Sequence, residues 1–123
     1  MGLKAMLLRR PTAPKKRLPD RPILLDEIRE ILSHIPADVE YEEWCTVLMG
    51  LHDHFNGSNQ GLTVADEWSS QGVKYIPGEV VSKWRGFKRK GITFSSVAAI
   101  ARKYGADLSE ISRRHKALEG FAA

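Results

Sequence analysis

The 123-residue sequence has a single cysteine, Cys45, which excludes an internal disulfide framework and fits a reducing compartment. No stretch approaches the roughly 18 consecutive apolar residues that a membrane-spanning helix needs, so we expect no membrane partner. The short apolar patch at residues 5–8 is followed at once by Arg9, Arg10 and Pro11, which is not typical of a secretory signal. These absences together favour a cytoplasmic protein.

The sequence also lacks the common motifs of enzymes. It contains no glycine-rich phosphate loop, no Gly-x-Ser-x-Gly elbow and no pair of carboxylates spaced for acid–base chemistry. The side chains of His52 and His54 would diverge by about 200° on a helix, so both cannot coordinate the same metal ion. We therefore predict a chain that is not an enzyme, with no catalytic residue, no metal, no cofactor and no small-molecule substrate.

Charge is unevenly distributed along the chain. Residues 1–22 carry seven Lys or Arg against one Asp, whereas the rest carries 12 basic and 14 acidic residues. Between Val80 and Ala106 there are seven Lys or Arg and no Asp or Glu. Segregation of this kind favours an anionic partner. The alternative is a solvated helix end, with cations near the negative pole of the helix dipole.

Apolar periodicity predicts an all-α fold, namely a compact bundle of five or six short helices with a flexible basic N-terminal arm. No segment alternates apolar and polar residues for long enough to form a strand. We predict a disordered basic arm or linker over residues 1–21, a helical domain over 22–105 and an additional C-terminal helix over 106–120. The expected stop and cap signals are Pro36, Asp38, Pro77, Thr93, Gly105, and a capping box of Asp107 with Glu110.

The tryptophans follow helical spacing. The second predicted helix has an apolar stripe of Tyr41, Trp44, Cys45, Leu48, Leu51 and Phe55. Trp44, Trp68 and Trp84 are each expected in the core rather than on a stacking surface. Tyr75, in a predicted loop beside Lys74, is the aromatic residue that we expect to be exposed. Gly50 lies inside the second helix, which suggests that another helix packs closely there.

Six short pieces occur in order along residues 24–104. They are Ile35-Pro36-Ala37-Asp38, then Trp44 with Met49-Gly50-Leu51-His52, then Asp66-Glu67-Trp68-Ser69, Lys74-Tyr75, Lys83-Trp84-Arg85-Gly86-Phe87, and Gly91-Ile92-Thr93. In this series the sequence resembles the second type of primase C-terminal domain (PriCT), a small helical module of phage and plasmid primases and primase–helicases. The sequence departs from that pattern after Thr93 and in the helix from Asp107 onward.

The resemblance implies a non-catalytic accessory domain that assists the priming of DNA replication in a cytoplasmic, bacterial or phage-encoded protein. Polymerisation and nucleotide hydrolysis would then belong to neighbouring domains. The implied partners are DNA, with single-stranded template favoured, and the neighbouring primase or helicase domains.

Nucleic-acid binding uses cations for phosphates and aromatic faces for bases. The residues that we predict for this role are Lys74, Tyr75, Lys83, Arg85, Lys88, Arg89, Lys90, Arg102 and Lys103. We expect the basic turn at residues 88–90 to contact the backbone of the template.

Two alternatives stay open. Residues 97–116 mimic a helix-turn-helix that would read duplex DNA, with Arg113 and Arg114 on the recognition helix. Against this, Arg114 stands where an apolar residue should close the core. The other alternative is a docking or spacer module between primase and helicase domains, which would use the acidic faces of the first two helices. Those acidic residues are Asp26, Glu27, Glu30, Glu40, Glu42 and Glu43.

Overall fold

A computed structural model describes residues 25–88 and 91–122 of the protein, with side chains as far as Leu118. The predicted N-terminal arm, Arg89 and Lys90 lie outside these residues. Within them the chain forms six α-helices and no strand: α1 Leu25–Ser33, α2 Tyr41–His54, α3 Asn59–Ser69, α4 Glu79–Gly86, α5 Phe94–Lys103 and α6 Leu108–Ala122. The prediction of an all-α bundle is confirmed. None of these helices is long and apolar enough to cross a membrane.

The central helix of the bundle is α2, which packs against α3, α4 and most extensively α5. Helices α2 and α5 are antiparallel, because Phe94 at the start of α5 lies beside His54 while Lys103 at its end pairs with Glu43. Helix α1 contacts α3, α5 and α6. Through Ile111, which is buried, α6 contributes to the same core as the other helices.

Gly50 is the point of closest approach between α2 and α5. A Cβ atom at this position would lie 2.8 Å from the carbonyl oxygen of Thr93 and would also collide with the side chain of Val97. Because backbone atoms cannot move aside as a flexible side chain can, only glycine fits here. The predicted close helix packing is confirmed.

All three tryptophans are buried, as predicted, and each indole N–H donates a hydrogen bond. Trp44 donates to the Ser69 hydroxyl at 3.1 Å, and Trp68 donates to the Ile35 carbonyl at 2.9 Å. Trp84 donates to the carbonyl of Gly57 at 3.2 Å. A buried indole needs such a partner, since an unsatisfied N–H is costly away from water.

Several helix ends match their sequence signals. The Thr93 hydroxyl accepts a hydrogen bond from the Ser95 N–H at the start of α5, and Gly105 follows α5 with a φ of +102°. Asp107 accepts from the Glu110 N–H at 3.0 Å, which is one half of the predicted capping box. These signals are local, and the sequence alone is enough to find them.

Two predicted helix starts are wrong. Glu40, not Asp38, precedes α2, and Asp38 instead accepts hydrogen bonds from the backbone N–H groups of Val73 and Lys74 at 3.2 and 3.4 Å. Pro77 lies in a turn, and α4 begins only at Glu79, after a glycine with positive φ. Asp38 had a tertiary partner 35 residues away that a local pattern cannot reveal.

Candidate nucleic-acid interface

The described members of the predicted binding set lie in three places. Lys74 and Tyr75 are in the loop between α3 and α4, Lys83 and Arg85 are on α4 with Lys88 just beyond it, and Arg102 and Lys103 are in the last turn of α5. Arg89 and Lys90, which complete the predicted basic turn, fall outside the residues that the structure describes.

These groups of predicted binding residues lie on two different sides of α2. The Lys83 ammonium lies 5.2 Å from the centre of the Tyr41 ring, whereas Lys103 pairs with the carboxylate of Glu43. Tyr41 and Glu43 are two residues apart on one helix, so their side chains diverge by about 200°. The predicted set is therefore not one continuous surface around Lys83 and Lys103.

Lys103 is bound within the domain. Its ammonium bonds to Glu43, and the Tyr104 hydroxyl donates to the other oxygen of the same carboxylate at 2.8 Å. The hydrogen bond from Lys103, followed by that from Tyr104, lowers the pKa of Glu43, and the bond to Glu43 raises the pKa of Lys103. The carboxylate of Glu43 partly neutralises this cation, which weakens its attraction for a phosphate.

At the end of α4, cations face outward while aromatic rings face inward. The ring of His52 lies 4.9 Å from Trp84 and 5.6 Å from Phe87, centre to centre, which fixes this segment on α2. Arg85 and Lys88 are exposed, and no carboxylate pairs with either of them in the described part of the chain. We call Lys83, Arg85 and Lys88 the basic end of α4.

Tyr75 is half-buried in its loop, so the expectation of an exposed ring is wrong. Its hydroxyl donates to the carboxylate of Asp66, with O–O distances of 2.9 and 3.1 Å. This hydrogen bond raises the pKa of Tyr75. The side chain therefore fastens the loop to α3 rather than projecting from it.

Among the residues with described side chains, the exposed aromatic residue is Tyr41, which the helical spacing places in the apolar stripe of α2. Its side chain is 57% exposed, and its ring stacks on Trp44 with a centroid distance of 5.6 Å and an interplanar angle of 27°. A hydrogen bond to the Tyr41 hydroxyl raises the pKa of Lys83. Because Tyr41 is the first residue of α2, part of its ring extends past the neighbouring helices, and helical periodicity alone does not reveal this.

A cleft of about 190 Å³ opens beside Tyr41, between the start of α2 and the loop at residues 70–78. We call it the aromatic cleft, and its main lining residues are Tyr41, Trp44, Lys74, Tyr75, Ile76 and Glu79. Its lining contains Lys74 and Tyr75, which the sequence predicts as binding residues, and also the ring of Tyr41, which the sequence predicts as a core residue.

Half of the acidic residues proposed for docking are used inside the domain. Glu27 is 2% exposed. Glu30 accepts hydrogen bonds from Arg114 and lies 2.8 Å from the His115 ring nitrogen, and Glu43 is bound by α5. Of the six predicted acidic residues, these three do not form a free outer face.

Arg114 also differs from the helix-turn-helix prediction. It pairs with Glu110 one turn earlier on α6 and with Glu30 on α1, so it faces α1 rather than a DNA groove. Its neighbour Arg113 is exposed and has no carboxylate partner among the residues described. Only one of the two predicted recognition arginines is thus available to DNA.

His52 and His54 have different surroundings, in line with their predicted divergence on the helix. His52 lies against Trp84 and Phe87, whereas His54 lies between Phe55 and Phe94, where burial lowers its pKa. The described residues contain no group of three or more His, Cys, Asp or Glu side chains that could hold a metal ion.

Comparison with known proteins gives one finding. Searches of curated proteins and of solved structures returned no significant match. The model of the family described as primase C terminal 2 (PriCT-2) matches residues 28–101, which is more than half of the chain. The match starts within α1, ends within α5 and includes the aromatic cleft and the basic end of α4. The chain therefore belongs to the PriCT-2 family of primase C-terminal domains.

Proposed function

We propose that this domain is a non-catalytic accessory part of a primase or primase–helicase and helps the enzyme engage single-stranded template DNA. The observation that carries the proposal is the state of the cations at the basic end of α4. Arg85 and Lys88 are exposed and unpaired within the described residues, while Trp84 and Phe87 hold their segment against α2. A fixed segment with free cations is well suited to contact phosphates.

Pairing matters because a phosphate contact is favourable mainly through the release of counterions from DNA. Arg85 and Lys88 can make that contact without breaking an internal ion pair. Lys103 and Arg114 are already partly neutralised by carboxylates to which they are hydrogen-bonded. Family membership supports single-stranded template as the nucleic acid, since a primase copies a single strand.

The test is an NMR titration of the whole 123-residue chain with a short mixed-sequence single strand, at low and at moderate salt. We expect amide shifts at residues 83–88 that weaken as salt rises, because phosphate contacts are screened and counterion release is less favourable. No shifts at low salt would overturn the proposal. A docking role against the primase or helicase domains would then be the better explanation.

A second candidate is duplex reading by α6, favoured by the exposed and unpaired Arg113 and Lys116 in the described chain. The same titration with a duplex of matching sequence distinguishes the two. Shifts confined to α6, and seen only with duplex, would replace the template proposal with this one. Shifts at residues 83–88 that are larger with the single strand would exclude it.

A further inference from the structure

We infer that the aromatic cleft receives one unstacked base of the bound strand, with Tyr41 as the stacking surface and Glu79 as the group that favours amino-bearing bases over thymine. The inference rests on the proposed function, because it concerns the same single strand. It adds a base-binding site beside the phosphate-binding basic end of α4, together with a sequence preference.

The size of the cleft suits a single ring system. Its volume of about 190 Å³ is below the roughly 300–1,000 Å³ of pockets that hold drug-sized ligands. It is open to solvent on one side, so a base can enter while its sugar and phosphates stay outside. A side chain of a docked peptide would also fit, but Lys74 in the lining and Lys83 beside Tyr41 suit a ligand that carries phosphates.

The ring of Tyr41 is already held in a stacked arrangement in the free protein. Its ring lies on Trp44, and the Trp44 indole is fixed by its hydrogen bond to Ser69 at 3.1 Å. The Lys83 ammonium lies over the Tyr41 ring in the free protein, so a base would take its place there while Lys83 moves to a neighbouring phosphate. A base on the exposed part of Tyr41 would then extend the existing stack with Trp44. Base–aromatic stacking of this kind does not depend strongly on which base is present.

Two lysines lie at or near the cleft, of which Lys74 belongs to its lining and Lys83 does not. Lys83 lies at the Tyr41 ring, and Lys74 belongs to the loop that forms the opposite wall. A base within a strand carries a phosphate on either side, so two nearby cations match its charge. An apolar peptide would use the exposed Val73 and Ile76, which are 89% and 58% exposed, but it would gain nothing from the lysines.

The loop wall of the cleft is already fixed. The Asp38 carboxylate accepts hydrogen bonds from the N–H groups of Val73 and Lys74, and the Tyr75 hydroxyl bonds to Asp66. A preformed wall lowers the entropy cost of binding, because little of the loop must be ordered when the base enters.

Glu79 provides the preference among bases. It is the acidic residue that lines the cleft, and a carboxylate can only accept hydrogen bonds. Cytosine and adenine present an exocyclic amino donor, whereas thymine presents a carbonyl oxygen at the corresponding position. The carboxylate therefore attracts an exocyclic amino group and repels the thymine O4, so thymine can bind it only through its N3–H.

The test uses fluorescence anisotropy of the whole chain with labelled oligo(dC) and oligo(dT) of equal length. We expect oligo(dC) to bind roughly three- to tenfold more tightly. Tyr41→Ala should weaken oligo(dC) binding by about tenfold, since one stacking contact is lost, whereas Tyr41→Phe should keep most of the affinity. Glu79→Gln should remove the preference for dC, because an amide can also donate to the thymine carbonyl. Tyr41 covers part of the buried Trp44, so thermal unfolding of each variant is measured to confirm that the domain remains folded.

The outcomes separate this inference from the proposed function. If Tyr41→Ala binds oligo(dC) like the unaltered chain while Arg85→Glu with Lys88→Glu still weakens binding, the cleft site is wrong and the template role stands. Equal affinity for oligo(dC) and oligo(dT) in the unaltered chain would overturn the role of Glu79. Loss of binding to the neighbouring primase or helicase domain, with DNA affinity kept in Tyr41→Ala, would make the cleft a protein-docking site. No DNA binding at all would overturn both proposals.

Discussion

The face where α1 meets α6 and the basic end of α4 are both rich in arginine or lysine, but they use these residues differently. At the first face, Arg114 pairs with Glu30 and Glu110, and Glu30 also contacts His115. At the second, Arg85 and Lys88 extend into solvent without a carboxylate partner in the described chain. A sequence rich in Lys and Arg therefore does not by itself produce a surface of unpaired positive charges.

What separates the two regions is the position of carboxylates in the fold. Glu30 and Arg114 are 84 residues apart in the chain, and Glu43 and Lys103 are 60 apart. The helix packing brings each of these pairs together and so neutralises the cation. No carboxylate among the described residues lies close enough to pair with Arg85 or Lys88. Each of the four predictions below alters either the paired charges or the basic end of α4.

The largest effect is expected from Trp84→Ala, which removes the internal support of the basic end. The indole is 3% exposed and donates a hydrogen bond to Gly57, so truncation leaves a cavity and an unsatisfied carbonyl. We expect the free energy of unfolding to fall by about 3–5 kcal/mol, as measured by urea denaturation. Trp84→Phe, the control, should lose less because it keeps most of the packing. A loss below about 1 kcal/mol in the alanine variant would contradict the described anchoring of α4.

The second prediction compares two charge reversals of equal size. Arg85→Glu with Lys88→Glu should lower affinity for a short single strand by about tenfold or more, and should make the salt dependence shallower by about 1.4, or 0.7 for each lost phosphate contact. The matched control, Arg113→Glu with Lys116→Glu, changes the net charge of the chain by the same amount on α6. Affinity is measured by anisotropy over a range of salt. Equal losses in both variants would mean that only net charge matters.

Arg114→Gln tests the paired side of the contrast. The change removes hydrogen bonds to Glu30 and Glu110 and leaves both carboxylates without that partner. We expect Tm to fall by roughly 2–5 °C with little change in single-strand affinity. Arg113→Gln removes an adjacent but unpaired arginine and should leave Tm nearly unchanged. A similar fall in both variants would show that the network contributes no specific stability.

The smallest effect is expected in the pH dependence of the free energy of unfolding. Hydrogen bonds from Arg114, followed by His115, lower the pKa of Glu30 from 4.5 to about 2. A carboxylate with a lowered pKa stabilises the fold fully above pH 4.5, and this contribution is lost as the pH falls toward 2. The difference in unfolding free energy between the unaltered chain and Glu30→Gln should be at most about 1 kcal/mol at neutral pH, since the pair is partly solvated. It should shrink through this pH window, and a constant difference would contradict the assignment.

The sequence predicts those features of the fold that depend on neighbouring residues. The helical spacing around each tryptophan and the hydroxyl of Thr93 act within one helix or at its end, so simple periodicity identifies the helices and their buried faces. The glycine at position 50 indicates close packing, but the sequence alone does not show which helix packs there. Asp38 shows the limit, because it looks like a local cap but bonds to a loop 35 residues away. Its role depends on the tertiary fold.

The candidate site is predicted less completely than the fold. Lysine and arginine side chains can be counted in the sequence, but whether each one is paired depends on distant carboxylates, as Lys103 shows. Tyr41 was missed for a related reason. It keeps the helical spacing of a core residue, yet it begins α2 and projects beyond the helices that cover Trp44. A signal that combined periodicity with position at a helix start would have identified it.

The hydrogen-bonded tryptophans have a practical consequence for spectroscopy. Trp44 lies directly under Tyr41, and Trp84 supports the basic end of α4, whereas Trp68 donates to a carbonyl next to α1. Their three indole N–H groups have three different acceptors, so each should give its own signal in a proton spectrum. The chain thus contains an intrinsic, label-free reporter for the cleft, another for the basic end of α4, and a third for the contact between α3 and the segment that follows α1.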